Sequence, residues 1–389
     1  MALEWLWDAR QRTGIYRLGD TLTNLGCGVM DQTTGLFAKV LTIAAFTAVY
    51  ELRIFDSWPS GAAGFALAFV AGDFAYYWSH RWSHRVNLFW IGHVVHHQSE
   101  DYNLGVALRQ SAAQKVLMMW VYWPLALVGM PPELFASVMA FNLLYQFWIH
   151  TESIRSLGPF EWVLNSPSHH RVHHGRNPEY IDRNHGGVFI VWDRLFGTFA
   201  AETIQPTYGI TVPTATFNPV RAQLQPWIRL ARQFRTMPTA ADKFRLLFSP
   251  PGWAPDSLGG PVAAPAISGE EMKYHVEPDV RLLPALLTRW GVALVLAVGL
   301  LLVQTAFPGW ALAAGVLWVL GQLWWVGAMW DGQEIHAGLG IGLDLGIVLV
   351  AFTSGLPVFV VAGLFTALAL LNLQWLSVKR RVSSDSTQR

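Results

Sequence analysis

A single cysteine, Cys27, occurs in the 389 residues. One thiol excludes an internal disulfide, a cysteine-ligated zinc finger and a four-cysteine iron–sulfur cluster. A haem thiolate needs only one, but nothing around Cys27 recommends it. Charge is scarce too: 14% of residues are charged against 52% hydrophobic, with 20 tryptophans. This is a membrane composition, not a soluble one. With a formal net charge of +1, nothing points to nucleic acid or an acidic partner. The chain also lacks His-Glu-x-x-His, the signature of zinc hydrolases, and Glu-x-x-His, the ligand motif of carboxylate-rich metal sites in soluble helical bundles. No haem, flavin or iron–sulfur module is recognisable, so any electrons must come from outside. No internal repeat is convincing. A cleavable signal is not expected, because Asp8, Arg10 and Arg12 interrupt the apolar start too early.

Histidine, by contrast, is concentrated. Eleven of the 13 lie between His80 and His185. Residues three and four apart share a helix face. His80 and His84 therefore converge, as do His93, His96 and His97, and His170, His173 and His174. Two polar stripes lead to them on otherwise apolar helices: Asp73, Tyr77, His80 and His84, and Asn142, Gln146 and His150. Imidazole suits zinc, copper, iron and nickel, and nine or ten imidazoles are too many for one ion. Two ions fit the count. Adjacent helical positions point about 100° apart, so His169 beside His170 stays open as a tenth ligand. The carboxylates of Asp73, Glu152, Asp182 and Asp193 are expected to orient imidazoles from behind. His275 and His336 read as structural or solvated. Asp344, inside an apolar run, could mark a second site, but a place near the membrane surface is the preferred reading.

The expected fold is all-α, a multi-pass membrane helical bundle with a cytoplasmic histidine-rich metal site and a C-terminal four-helix membrane block. Met1–Trp7 looks like the end of a membrane helix, with a further helix expected upstream. Apolar runs follow at about 36–50 and 61–78, then a short hairpin of 116–130 and 134–149 bent at Pro131 and Pro132. Residues 151–284 are polar and begin with Arg155, Arg171, Arg176, Arg183 and Arg194, which the positive-inside rule assigns to the cytoplasm. Within them 219–234 is a basic amphipathic pattern suited to the bilayer surface, which Pro226 is expected to interrupt. The last runs are 290–307, 310–330, 337–354 and 356–378. The organisation is thus a metal-bearing domain over 1–248, a Pro/Gly-rich linker over 249–280, a transmembrane domain over 281–378 and a disordered tail over 379–389.

The series HxxxH (His80, His84), HxxHH (His93, His96, His97), His150 and HHxxHH (His169, His170, His173, His174) is followed by Trp192-Asp193-Arg194-Leu195-Phe196-Gly197-Thr198. Together these resemble the fatty acid hydroxylase and sterol desaturase superfamily over roughly 17–253. The stretches YRLGDTLTNL, QFWIHTE and SPSHHRVHHGRNPEYIDRNHGG look most like its alkylglycerol monooxygenase-like branch. The resemblance implies a non-haem di-iron enzyme that uses molecular oxygen on a lipid drawn from the bilayer. The ligands carried over are His80, His84, His93, His96, His97, His150, His170, His173 and His174, with His169 a candidate tenth. In that branch the carbon beside an ether oxygen is hydroxylated and a reduced pterin supplies electrons; a sterol or fatty-acyl hydroxylase or desaturase would use the same metals with another external donor. The membrane is a bacterial cytoplasmic membrane or, in a eukaryote, the endoplasmic reticulum. Two departures stand out: the helix that often precedes YRLGDTLTNL is not seen, and His185 replaces an aromatic residue, with no role assigned. A zinc-dependent membrane hydrolase and a metal transporter are the rivals. The first lacks its motif, and the second needs polar groups threaded through the membrane rather than gathered at one end.

Overall fold

The computed structural model describes residues 1–267 and 271–386. Among them every regular element is helical, and β-pairing is limited to two isolated bridges, Leu164 with Phe189 and Gly175 with Tyr208. The chain divides into two compact units. One comprises Met1–Leu25, Phe37–Thr214 and Gln223–Lys273; the other comprises Gly26–Leu36, Ala215–Ala222 and Tyr274–Arg389.

The first unit opens with α1 (Ala2–Gln11). In place of a membrane-helix end, α1 is an anchored segment whose Glu4 and Asp8 are buried. Glu4 accepts from Leu104 N at 2.8 Å and from the Tyr16 and Thr151 hydroxyls, while Asp8 accepts from Thr13 and from Ile15 N. Helix α2 (Leu18–Tyr50) begins well before the apolar run that announces it. Its first turns carry a buried polar face, with Asn24 donating to Asp20 at 2.8 Å and the Thr23 hydroxyl to Gly19 O at 2.7 Å. Hydropathy misses such a face because its polar groups are satisfied internally.

Helix α3 (Gly61–Arg85) runs unbroken from apolar residues into His80 and His84, burying Ala68, Gly72, Asp73 and Tyr77 along the way. Short helices α4 (Asn87–Ile91) and α5 (Val94–His97) follow. The expected first arm of the hairpin is not one helix. It breaks into α6 (Gln114–Met118), a 3-10 turn and α7 (Trp123–Leu127). Pro124 has no N–H and fits only the first turn of a new helix. The second arm, α8 (Pro132–Trp148), is continuous and packs on α3. Gly72 permits the approach, since a Cβ there would lie 2.6 Å from Val138.

Beyond α8 come α9 (Pro167–His174), α10 (Val191–Leu195), α11 (Pro219–Thr236) and α12 (Ala240–Phe248). Contrary to expectation, α11 passes through Pro226. The proline removes one intrahelical bond, but the helix is held on both sides: Ala222 N bonds Asn218 O at 2.9 Å, and Leu230 is buried against Ile91, Met237 and Leu246. Residues 249–265 are irregular apart from one 3-10 turn, Asp256–Leu258, as their Pro and Gly content predicts.

The second unit contains α13 (Leu283–Leu302), α14 (Gly309–Trp330), α15 (Ala337–Thr353) and α16 (Val358–Ser386), each packed on the next, with α13 also on α16. Their core joins Ala297, Trp318, Val319, Leu323, Leu368 and Leu371 to Met30 of α2. Leu18–Tyr50, Leu283–Leu302, Gly309–Trp330 and Val358–Val378 are long and apolar enough to cross a membrane. With its helices and histidine groups, the chain is a membrane helical bundle. Asp344 faces the helix bundle. It is 2% exposed and pairs with Arg289 at 2.6 Å, while Gln322 and Trp318 donate to its other oxygen. Helix α16 extends to Ser386, into the expected disordered tail, because no Gly or Pro after Gly363 stops it; residues 387–389 lie outside the described residues.

Candidate metal centre

Four elements of the first unit deliver the imidazoles. His80 and His84 project from the end of α3, His93 precedes α5 and His96 and His97 end it, His150 follows α8, and α9 carries His170, His173 and His174. The start of α9 is fixed by Pro167 in its first turn and by the Ser166 hydroxyl, which accepts from His169 N at 3.4 Å. The nine side chains are buried and separate into two groups. One is His80, His84, His93, His97 and His173; the other is His96, His150, His170 and His174. Within each group the candidate ligand nitrogens lie within 4.8 Å of one another.

Ring orientation follows from the backbone. Nδ1 of His80 lies 2.8 Å from His185 O, that of His96 3.1 Å from Arg109 O, that of His150 2.7 Å from Gln146 O and that of His173 2.9 Å from Arg183 O. A carbonyl can only accept, so in each ring Nδ1 carries the proton and Nε2 offers its lone pair inward. The Nε2 atoms meet: His80 and His97 each lie 3.0 Å from His93, and His150 lies 3.2 Å from His96 and 3.0 Å from His170. Nε2 of His84, His173 and His174 is buried with no hydrogen-bond partner. Burial lowers the His96 pKa to about 4; burial, with neighbouring imidazoles adding to the effect, holds His93, His97, His170, His173 and His174 well below the ordinary imidazole value. Neutral, buried nitrogens with unused lone pairs are what a metal ion takes. The residues fit two ions.

Of the four carboxylates expected behind the imidazoles, Asp182 faces His84, while Asp73, Glu152 and Asp193 meet other groups; backbone carbonyls take the outward nitrogens of His80, His96, His150 and His173. Asp73 accepts from Asn142 (2.6 Å), Val188 N (2.7 Å), Phe189 N (3.1 Å) and Trp192 Nε1 (2.9 Å), so it ties α3 to α8 and to the 187–192 loop. Asp193 accepts from His185 N, Gly186 N and the Thr198 hydroxyl, which fixes the same loop from the other side. Asp182 bonds Arg85 at 3.0 Å and lies 3.8 Å from His84 Nδ1. Glu152 lies beside Tyr208, away from the imidazoles, and burial raises its pKa. His169 is turned from both groups and stands edge-on to Phe199, ring centroids 5.3 Å apart. His185 is fully buried beside His80 and His84, yet it serves through its carbonyl. His336 caps α15 by accepting from Gly338 N, and the exposed His275 lies beside Glu277.

Sequence reasoning missed Arg109 and Tyr102. Arg109, 2% exposed, donates to Val95 O, Asn24 and Gln98, fixing the segment whose carbonyl holds His96. An arginine in an otherwise uncharged stretch is its only trace in the sequence. Tyr102 lies against His174 and His150 with centroids 5.2 and 5.9 Å away.

One cavity adjoins the histidines, and a second lies behind Tyr102. The larger, about 670 Å³, has His84, His97, His173 and His174 in its wall together with Trp90, Ile91, Val94 and Leu230, and the irregular 250–254 and 262–265 segments close one side. The smaller, about 310 Å³, is lined by Tyr102, Glu152, Arg176, Tyr208 and Lys273 among others.

Residues 65–198, which hold all nine histidines, match the fatty acid hydroxylase family model. The chain is 44% identical over 278 residues to an alkylglycerol monooxygenase of Xenopus tropicalis, covering 70% of this chain and 61% of the relative. It is 44% identical over 263 residues to that of Homo sapiens, covering 66% and 58%. An ornithine lipid hydroxylase of Rhizobium tropici is 26% identical over 241 residues, covering 60% and 72%. The chain thus spans less than two thirds of the length of either alkylglycerol monooxygenase. No solved structure matches. Residues 65–198 thus match the fatty acid hydroxylase family, and the chain is a homologue of the alkylglycerol monooxygenases over 263 to 278 residues.

Proposed function

We propose that this chain is a membrane-bound non-haem di-iron oxygenase that hydroxylates a lipid with molecular oxygen. The observation that carries the reading is the division of nine buried imidazoles into groups of five and four, each with inward-facing nitrogens. His80, His84, His93, His97 and His173 would hold one iron, and His96, His150, His170 and His174 the other. When bound, the iron pair supplies the oxygen chemistry that attacks an unactivated C–H bond.

The chain's own residues supply position. The larger cavity offers Trp90, Ile91, Val94 and Leu230 to an apolar chain, while Arg229 and Asp182 on its lining suit a polar head group. Four histidines in its wall put the reacting carbon beside the metals and away from bulk water. The Arg-rich segment after His150 argues for a cytoplasmic position of the histidines.

The favoured substrate is an ether lipid. Hydroxylating the carbon beside the ether oxygen gives a hemiacetal, which collapses to an aldehyde and a glycerol, with a reduced pterin as the electron source. The 44% identity to alkylglycerol monooxygenases, against 26% to an ornithine lipid hydroxylase, favours it over an acyl or sterol substrate. A zinc hydrolase would leave most of the nine imidazoles without a purpose.

The test is metal analysis with Mössbauer spectroscopy on detergent-purified protein expressed with iron, followed by an alkylglycerol assay. Close to two magnetically coupled irons per chain and aldehyde release support the reading. One zinc per chain retained under iron-rich expression sinks it.

A further inference from the structure

An oxygenase with no redox module of its own needs a place where an electron donor can approach its metals. The larger cavity suits the lipid, since its walls are largely apolar and reach four histidines. The smaller one differs in chemistry. Glu152 and Tyr208 lie together on its lining, Arg176 and Lys273 contribute cations, and Tyr102 separates it from the four-histidine group.

The site is built, not a surface dent. Asn177 accepts from Thr207 N at 2.7 Å and Arg176 N donates to Thr207 O at 2.8 Å, which locks the 205–208 wall. Tyr208 stacks on Tyr102 at 4.7 Å and 14°, and Tyr102 in turn contacts His174 and His150. Arg176 Nε is buried with no hydrogen-bond partner, an uncommon state for a charged donor. About 310 Å³ accommodates one fused ring system but not a dinucleotide.

We propose that this smaller cavity is the electron-donor site, and that it takes a small flat heteroaromatic reductant bearing N–H groups along one edge, the class of the reduced pterins. The Glu152 carboxylate receives the N–H edge, and Arg176 meets the donor's carbonyl or ring nitrogens. Tyr102 and Tyr208 form the aromatic contact between donor and histidines. The donor gives up two electrons and two protons; with dioxygen and a substrate C–H bond, these yield C–OH and one water. This assignment rests on the oxygenase reading above.

The experiment uses the full-length, iron-loaded protein in detergent, with tetrahydrobiopterin as probe under anaerobic conditions. Calorimetric binding is measured for the wild type, Glu152→Gln and Tyr208→Phe, alongside iron content and the KM for the lipid. Loss of a hydrogen bond to a charged group predicts pterin binding weakened about tenfold in Glu152→Gln. Iron content and lipid KM stay at wild-type values. Wild-type affinity in both variants overturns the assignment. So does a wild type that binds no pterin yet hydroxylates lipid in a single turnover with dithionite, which leaves the oxygenase reading standing. No turnover with dithionite by iron-loaded protein overturns the oxygenase reading and this assignment with it.

Discussion

Nδ1 of His80 lies 2.8 Å from the backbone carbonyl of His185, a residue 105 positions further along the chain. The side chain of His185 is therefore dispensable for the contact that orients His80. His185→Phe should keep the full iron content of the wild type, because any residue supplies the carbonyl and Tyr77 already makes this an aromatic neighbourhood. Elemental analysis decides, and loss of metal in this variant would mean that the imidazole itself ligates.

Removing a ligand should act on one ion at a time. His150→Ala leaves three histidines in the four-membered group and should lower iron from about two to about one per chain, whereas His84→Ala leaves four in the other group and should cost less metal. Elemental analysis with Mössbauer spectroscopy reads both, and activity should vanish in His150→Ala. Equal loss of both irons in either variant would argue against two separable groups.

Asp73 gathers four donors from two other segments. Asp73→Ala strands them in a buried site and should destabilise the first unit by roughly 3 kcal/mol or more. Tryptophan-fluorescence melting in detergent should detect a clearly lower Tm. An unchanged Tm would show that these bonds are replaceable by water.

In the second unit the Arg289–Asp344 pair is buried with side chains 4% and 3% exposed. Arg289→Met leaves an uncompensated carboxylate and should cost about 3–5 kcal/mol, while the double variant Arg289→Met, Asp344→Leu should recover most of the loss. The same melting measurement checks both, and a double variant as unstable as the single would contradict the pairing argument.

Much of this site is legible in the sequence because imidazoles that share an ion must share a helix face. The spacings His80/His84, His93/His96/His97 and His170/His173/His174 announce the convergence. The supports are silent for the opposite reason. His185, Arg109, Gln146 and Arg183 act through backbone carbonyls, which every residue possesses. Asp73 and Asp193 carry a visible signal, a carboxylate where charge is expensive, but the sequence does not reveal that backbone N–H groups and the side chains of Asn142, Trp192 and Thr198, not imidazoles, are their partners. The first half of α2 is hidden by its buried polar face, and Pro226 sits within a helix held by a backbone bond before it and by the packing of Leu230 after it.

The larger cavity carries four histidines in one wall together with Asp182 and Arg229, and Trp90, Ile91 and Val94 line the same space. On the proposed reading, a lipid whose head group is held at Asp182 and Arg229 brings its first carbons to the imidazoles and leaves its tail against the apolar residues. The cavity then works as a ruler, and the bond that reacts is chosen by distance from the head group, so that lipids differing only in tail length would be oxidised at the same carbon.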